Sequence, residues 1–243
     1  MCDLRLQFAQ GRFAGNIAKL GKFSAELQGN YDILQVGSTG TALNEPPFIK
    51  FYRFVVQRDF NRPEAEYLLP PSGRNLMSLM LAHKELRSTA NDIFSNFGLR
   101  LDLRPQESKI EVVKQLEDVI ISYPYSLTSD TLQRTTFHLF AVLSNKDSVL
   151  VFEEPESHAF PYYTKYLAET IALNDKNNQY FISTHNPYLL LPVLEKAPKE
   201  DVAVFITCYK DYQTKAKPLS AQETEEIMEL DVFSNLDRFL EGR

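Results

Sequence analysis

The 243-residue sequence predicts an α/β protein with a parallel-sheet core, a β-rich N-terminal portion and a helical insertion between them. Three observations carry this. After Pro124 the chain alternates helix-like and strand-like stretches in the manner of layered βα units. Two of the strand-like stretches, Ser148–Phe152 and Tyr180–Ser183, are short apolar runs, as expected of strands covered on both faces. The first third consists instead of short strand-like runs broken by turn residues.

Taken in order, Phe13–Phe23, Tyr31–Val36 and Phe48–Val56 are strand candidates, punctuated by Gly29-Asn30 and Glu45-Pro46-Pro47. Pro63, Pro70, Pro71 and Gly73 mark a boundary. Asn75–Phe97 then reads as helical, with Leu76, Leu79, Met80, Leu86, Ile93 and Phe97 on one face, and Gly98 ends it. Ile110–Tyr123 fits either a strand pair or a helix. Thr131–Leu143 reads as a helix with Leu132, Thr136, Leu139, Phe140 and Leu143 on one side. Tyr162–Leu173 is another, and Asn186-Pro187 opens a third, with Asn as cap and Pro in the first turn. Val202–Thr207 is expected to be a third strand of the layer. The domain organisation that follows is a β-rich portion at 1–74, a helical insertion and connecting segment at 75–123, and an α/β lobe at 124–243.

Composition narrows the classes. At 44% hydrophobic and 24% charged the chain can build a packed core. A formal charge of −6 gives no general drive toward nucleic acid. No apolar run has the length of a membrane span, and the N-terminus does not read as a signal peptide. Cys2 and Cys208 match no metal or redox spacing, so a cytoplasmic setting is expected.

Chemistry concentrates at the predicted strand ends. Val149-Leu150-Val151-Phe152-Glu153-Glu154-Pro155 delivers two adjacent carboxylates at a strand's C-terminal end, where open α/β sheets place ligands. One such acid can hold a hydrated magnesium ion while its neighbour polarises a water for attack on a γ-phosphate. Two acids after a strand are more often a solvated loop. In Phe181-Ile182-Ser183-Thr184-His185-Asn186-Pro187 a histidine stands at the next strand's end, where it can donate to a phosphate oxygen or simply cap a helix entrance. The two strand ends lie about 30 residues apart, the length of one βαβ unit, so a crossover makes them neighbours. The pair is more specific than either part. Ser126 to Arg134 places small hydroxylated residues and Asp130 at a helix start, an anion site by its free amides or an ordinary N-cap. His83 and His138 have no second ligand at helical spacing. Tyr162, Tyr163 and Tyr166 suit helix packing, and Lys84 and Arg87 a solvated face.

In this order the three segments resemble the C-terminal part of ABC-type ATPases of the SMC/Rad50/RecF kind, closest to the OLD-related AAA-type ATP-binding proteins of bacteria. The resemblance covers roughly residues 120–208, about a third of the chain. It implies that Ser129, Asp130 and Thr131, in Ser129-Asp130-Thr131-Leu132-Gln133-Arg134, belong to the nucleotide-binding signature motif. It implies Glu153 as the magnesium-binding Walker B acid, Glu154 as the catalytic glutamate and His185 as the switch histidine. Ser157-His158-Ala159-Phe160-Pro161 resembles the loop that lies along the dimer interface. The implied ligands are ATP and Mg2+, and the implied activity is that of an ATPase, an ATP-hydrolysing hydrolase. The implied assembly is a homodimer, or a complex with a P-loop-bearing partner segment, with nucleotide held between protomers. DNA is a client that the resemblance admits and the charge does not indicate; no membrane partner is implied.

Two departures matter. Glu153 stands where the family usually has aspartate, and the signature segment has no glycine. More seriously, no Gly-x-x-x-x-Gly-Lys-Ser/Thr run occurs. The nearest match, Gly15 to Gly21-Lys22, has five residues between the glycines and Phe23 in place of the hydroxyl. The P-loop is therefore expected outside this chain, and the chain alone is expected to be inactive. No room for a Toprim nuclease domain is seen after residue 208, so nuclease activity is not expected. The alternative is a non-catalytic interaction or scaffold subunit that keeps the fold.

Overall fold

The computed structural model describes residues 49–60, 63–210, 212–229 and 239, and, by backbone and pairing, the strands at 4–9, 12–17, 21–27 and 33–40. Gly29-Asn30, Tyr31, Glu45-Pro46-Pro47, Phe48 and Cys2 lie outside the described residues. The chain divides into two compact units, 1–48 and 49–243.

In the first unit, β1 (Leu4–Ala9), β2 (Arg12–Ile17), β3 (Gly21–Leu27) and β4 (Ile33–Gly40) form an antiparallel sheet in sequential order. The run Phe13–Phe23, expected as one strand, is two. β2 folds back on β3 with Gly15 opposite Phe23 and Ile17 opposite Gly21. Doubling back lets each half satisfy the other's backbone groups. Gly15 and Gly21-Lys22 thus stand in paired strands, with no helix following Lys22 as a phosphate-binding turn requires.

The second unit holds the parallel sheet. It opens with β5 (Ile49–Tyr52), α1 (Leu76–Ala82) and α2 (Lys84–Ser95). The expected helix over 75–97 is broken at His83, whose extended backbone (φ −113°, ψ 106°) separates the two. Arg87, read as a solvated residue, returns its guanidinium to the Met80 carbonyl at 2.8 Å and serves the end of α1. Gly98 (φ +66°) closes the insertion in a conformation costly for other residues.

β6 (Arg100–Arg104), β7 (Lys109–Leu116) and β8 (Val119–Pro124) form an antiparallel sheet, which settles the ambiguous 110–123 stretch as a strand pair. Ile110 and Val112 are buried two residues apart, the period of a strand, and Glu117 at φ +50° makes the turn.

Then come α3 (Asp130–Ser144), β9 (Val149–Glu153), α4 (Pro161–Ala172), β10 (Gln179–Ser183) and α5 (Pro187–Lys196). β9 is the central strand, parallel to β10 on one side and to β5 on the other. Leu150, Phe152 and Tyr52 pack into one core with Phe137, Leu139 and Phe140 of α3 and Leu167, Ala168 and Ile171 of α4. Tyr52 stacks on Phe152 with ring centroids 5.8 Å apart. Full burial of a side chain such as Leu150 or Phe152 contributes about 1.5–3 kcal/mol. On the opposite face of the sheet Ile49, Phe51 and Phe181 are exposed. Tyr180–Ser183, expected as a buried strand, is exposed or half-buried along its length, as an edge strand of this sheet can be.

Val202–Thr207 was expected as a third strand of this layer. The strand is β11 (Phe205–Lys210), and it pairs antiparallel with β12 (Gln213–Pro218) as a separate hairpin. Its exposed Phe205 and Tyr209 show that it is not a sheet-core strand. The third parallel strand is β5, drawn from before the insertion. α6 (Ala221–Glu229) places Ile227 in a small second core with Leu194, Ile206 and Phe239. Among the described residues no helix is long and apolar enough to cross a membrane.

Candidate functional site

β9 and β10 end side by side, with Glu153 opposite Ser183 in the ladder. The chain then turns at Glu154, whose φ of +41° is uncommon for a residue with a side chain. Its amide donates to the Ser183 carbonyl at 2.9 Å, so the first residue beyond β9 is tied to the last residue of β10.

That turn aims the Glu154 carboxylate at the segment after β10. Its Oε1 lies 2.9 Å from Nδ1 of His185. Its Oε2 accepts from the Ser157 hydroxyl at 3.1 Å. The His185 side chain is 73% exposed and that of Glu154 45%, so the pair opens to solvent at the C-terminal edge of the sheet. The contact is an ion-pair approach of the ring to the carboxylate, and it leaves Nε2 as the other ring nitrogen. Glu153 is exposed at the same edge and carries no hydrogen bond or ion pair among the described residues.

The next acid behaves differently. Glu156 is only 3% exposed. Its Oε1 accepts from the Thr184 hydroxyl, and burial pushes its carboxyl above the usual carboxylate range against the lowering effect of that bond. Asn186 continues the segment: its amide donates to Thr184 Oγ1 at 3.0 Å, and its own Oδ1 caps α5 by accepting from the Tyr188 amide at 2.8 Å.

The start of α3 joins the same region. Ser129 stands at the N-cap position but makes no capping bond with its side chain. Asp130 accepts from Arg134 Nε at 2.8 Å, and Thr131 donates to the His158 carbonyl at 2.9 Å. The segment keeps Ser129 exposed and lies beside the loop that follows β9. It is attached to that loop within one chain, four residues beyond Glu154.

All three predicted segments thus meet at one edge of the sheet. Ser157 and Thr184 lie inside the segments named from sequence but had no role assigned there, and Glu156 was not singled out at all. Glu156 carried a signal, as a third acid two residues beyond Glu154, but nothing local to the sequence shows that it turns inward. His83 and His138 stay outside: His138 is buried in α3 with its ring edge-on to Phe137 and Phe152, and burial lowers its pKa to about 3. Among the described residues no group of three or more His, Cys, Asp or Glu side chains could hold a metal ion.

A magnesium ion fits this donor set in one way. Mg2+ keeps several waters and takes one or two carboxylates plus phosphate oxygens rather than an all-protein cage. The free Glu153 carboxylate at the sheet edge meets that requirement.

The family model described as "AAA domain, putative AbiEii toxin, Type IV TA system" matches residues 31–191. No curated protein matches. Among solved structures, an SMC head bound to the C-terminal winged-helix domain of ScpA superposes with a TM-score of 0.50 at 12% identity, covering 89% of this chain and 77% of that one. The SMC head domain from Thermotoga maritima gives a TM-score of 0.39 at 14% identity, over 87% and 76%. A chain described under ATP-driven dimerization and DNA-stimulated activation of SMC ATPases gives 0.43 at 18% identity, over 63% and 95%.

Proposed function

The chain belongs to the AAA-domain family whose model spans 31–191, a family of nucleotide-binding ATPases, and from that premise we propose that it forms the acid-and-histidine half of an ATP-hydrolysing site. The observation that carries this is the 2.9 Å contact between Glu154 and His185 at the adjacent C-terminal ends of β9 and β10. A γ-phosphate and its attacking water span only a few ångströms, so groups acting on both must converge in this way.

Glu154 is the base that orients and takes a proton from the attacking water. His185 holds Glu154 through Nδ1 and turns Nε2 toward the phosphate. Glu153 would hold hydrated magnesium, which when bound would supply counter-charge to the phosphates. Ser129, Asp130 and Thr131 serve the nucleotide of an opposing protomer, in a homodimer or in a complex with a P-loop-bearing partner. The phosphate-cradling loop comes from outside this sequence, which contains no Gly-x-x-x-x-Gly-Lys-Ser/Thr run.

Calorimetric titration of the isolated chain with ATP and magnesium tests this division of labour. Weak or absent binding is expected, because P-loop amides and lysine carry most phosphate recognition. Micromolar affinity overturns the assignment of the P-loop to another segment. In an assembly that supplies the loop, bound ATP is expected to be hydrolysed; bound ATP that is never turned over identifies a scaffold instead.

A further inference from the structure

Thr184 and His185 are consecutive, and each grips one acid of the Glu154-Pro155-Glu156 segment. The exposed rung is His185 to Glu154. The inner rung is Thr184 to Glu156, with Glu156 and Pro155 both buried. We propose that Glu156 is a positioning residue, which acts through Thr184 to hold His185 against Glu154. What the held pair does rests on the ATPase reading; the linkage itself needs no nucleotide.

Three features support it. Burying a carboxylate is costly, and among the described residues Thr184 is the side chain that donates to Glu156, whose Oε2 has no hydrogen-bond partner. Such groups concentrate where geometry matters more than stability. Next, the hydroxyl that Glu156 orients is also the acceptor for the Asn186 amide at 3.0 Å, so the residues on both sides of His185 are fixed by one network. Finally, both members of the exposed pair sit on turns rather than in the ladder. Apart from the His185–Glu154 pair itself and the Glu154 amide to Ser183 carbonyl bond, the Thr184–Glu156 contact ties these two segments together among the described residues.

The test is the ¹H–¹⁵N long-range spectrum of the full chain labelled at its four histidines, with His185 assigned by His185→Gln and no nucleotide present. Wild type is expected to show the Nδ1–H form of His185. Thr184→Val, which removes the hydroxyl at constant shape, and Glu156→Ala are expected to lose that signature and give the averaged pattern of a free imidazole. Thr184→Ser and Glu156→Gln, which keep the hydrogen bond, are expected to retain it. The Val/Ser pair decides the matter if Glu156→Ala does not fold. A wild-type His185 signature in Thr184→Val overturns the proposal, and so does its loss in Thr184→Ser or Glu156→Gln. Because nucleotide is absent, these outcomes are separate from failure of the ATPase reading, which is read by turnover.

Discussion

A histidine that donates through Nδ1 to a carboxylate has only Nε2 left to offer. His185 Nδ1 lies 2.9 Å from Glu154 Oε1, so donating from Nε2 to a phosphate oxygen while Nδ1 also gives its proton to Glu154 takes the doubly protonated ring. The same contact makes Glu154→Gln an informative change. Glutamine can still accept from Nδ1, so the geometry survives while the base is removed. In an assembly with a P-loop, Glu154→Gln is expected to keep nucleotide binding and slow hydrolysis by about 10²-fold or more in a single-turnover assay. Turnover equal to wild type rules out the base role. Glu153→Gln is expected to act on a different quantity, weakening ATP binding in magnesium while leaving magnesium-free binding unchanged.

At the scale of elements, two positions control how β9 and α5 present the site. Leu150 is fully buried at the centre of β9, between the other two parallel strands. Leu150→Ala is expected to cost about 2–5 kcal/mol in denaturant unfolding, the transfer term plus the cavity left in a rigid sheet. Asn186 caps α5 directly after His185. Asn186→Ala is expected to cost about 1 kcal/mol by the same measurement. A loss near zero would show that the Thr184–Asn186 network, not the cap, fixes the entry to α5.

Among the described residues, the buried bases His138 and Lys50 make stability depend on pH at the scale of the whole molecule. Burial lowers His138 from 6.5 to about 3. Below about pH 6.5 the unfolded chain takes up a proton that the folded chain refuses until near pH 3, so stability falls as pH falls through that window. Glu156, raised by burial, acts in the opposite sense. The comparison that isolates the histidine is wild type against His138→Gln, whose acid loss is expected to be shallower. Lys50 is buried, donates to Asn145 at 2.6 Å and lies over the Tyr67 ring, and burial lowers it from 10.5 to about 8. The unfolded chain again holds the extra proton, so stability is expected to rise from about pH 8 toward 10. Lys50→Met is expected to lack this rise; an unchanged alkaline profile would show that Lys50 does not titrate there.

The sequence by itself determined the fold class, the helices α3, α4 and α5, the strands β9 and β10, and the three segments that meet at their ends. Apolar period, caps and breakers are local properties, and the 30 residues between Glu154 and His185 already imply one βαβ unit. It left 110–123 open because strand pair and helix bury the same few apolar residues. It misplaced the third parallel strand because Val202–Thr207 and Ile49–Tyr52 are both short apolar runs, and only long-range pairing chooses between them. The tertiary structure alone decided that Glu156 turns inward while Glu153 and Glu154 stay at the surface. Three nearby acids look alike in a sequence; their solvent, their hydrogen-bond partners and the +41° turn at Glu154 come from the neighbouring strand end, some 30 residues away.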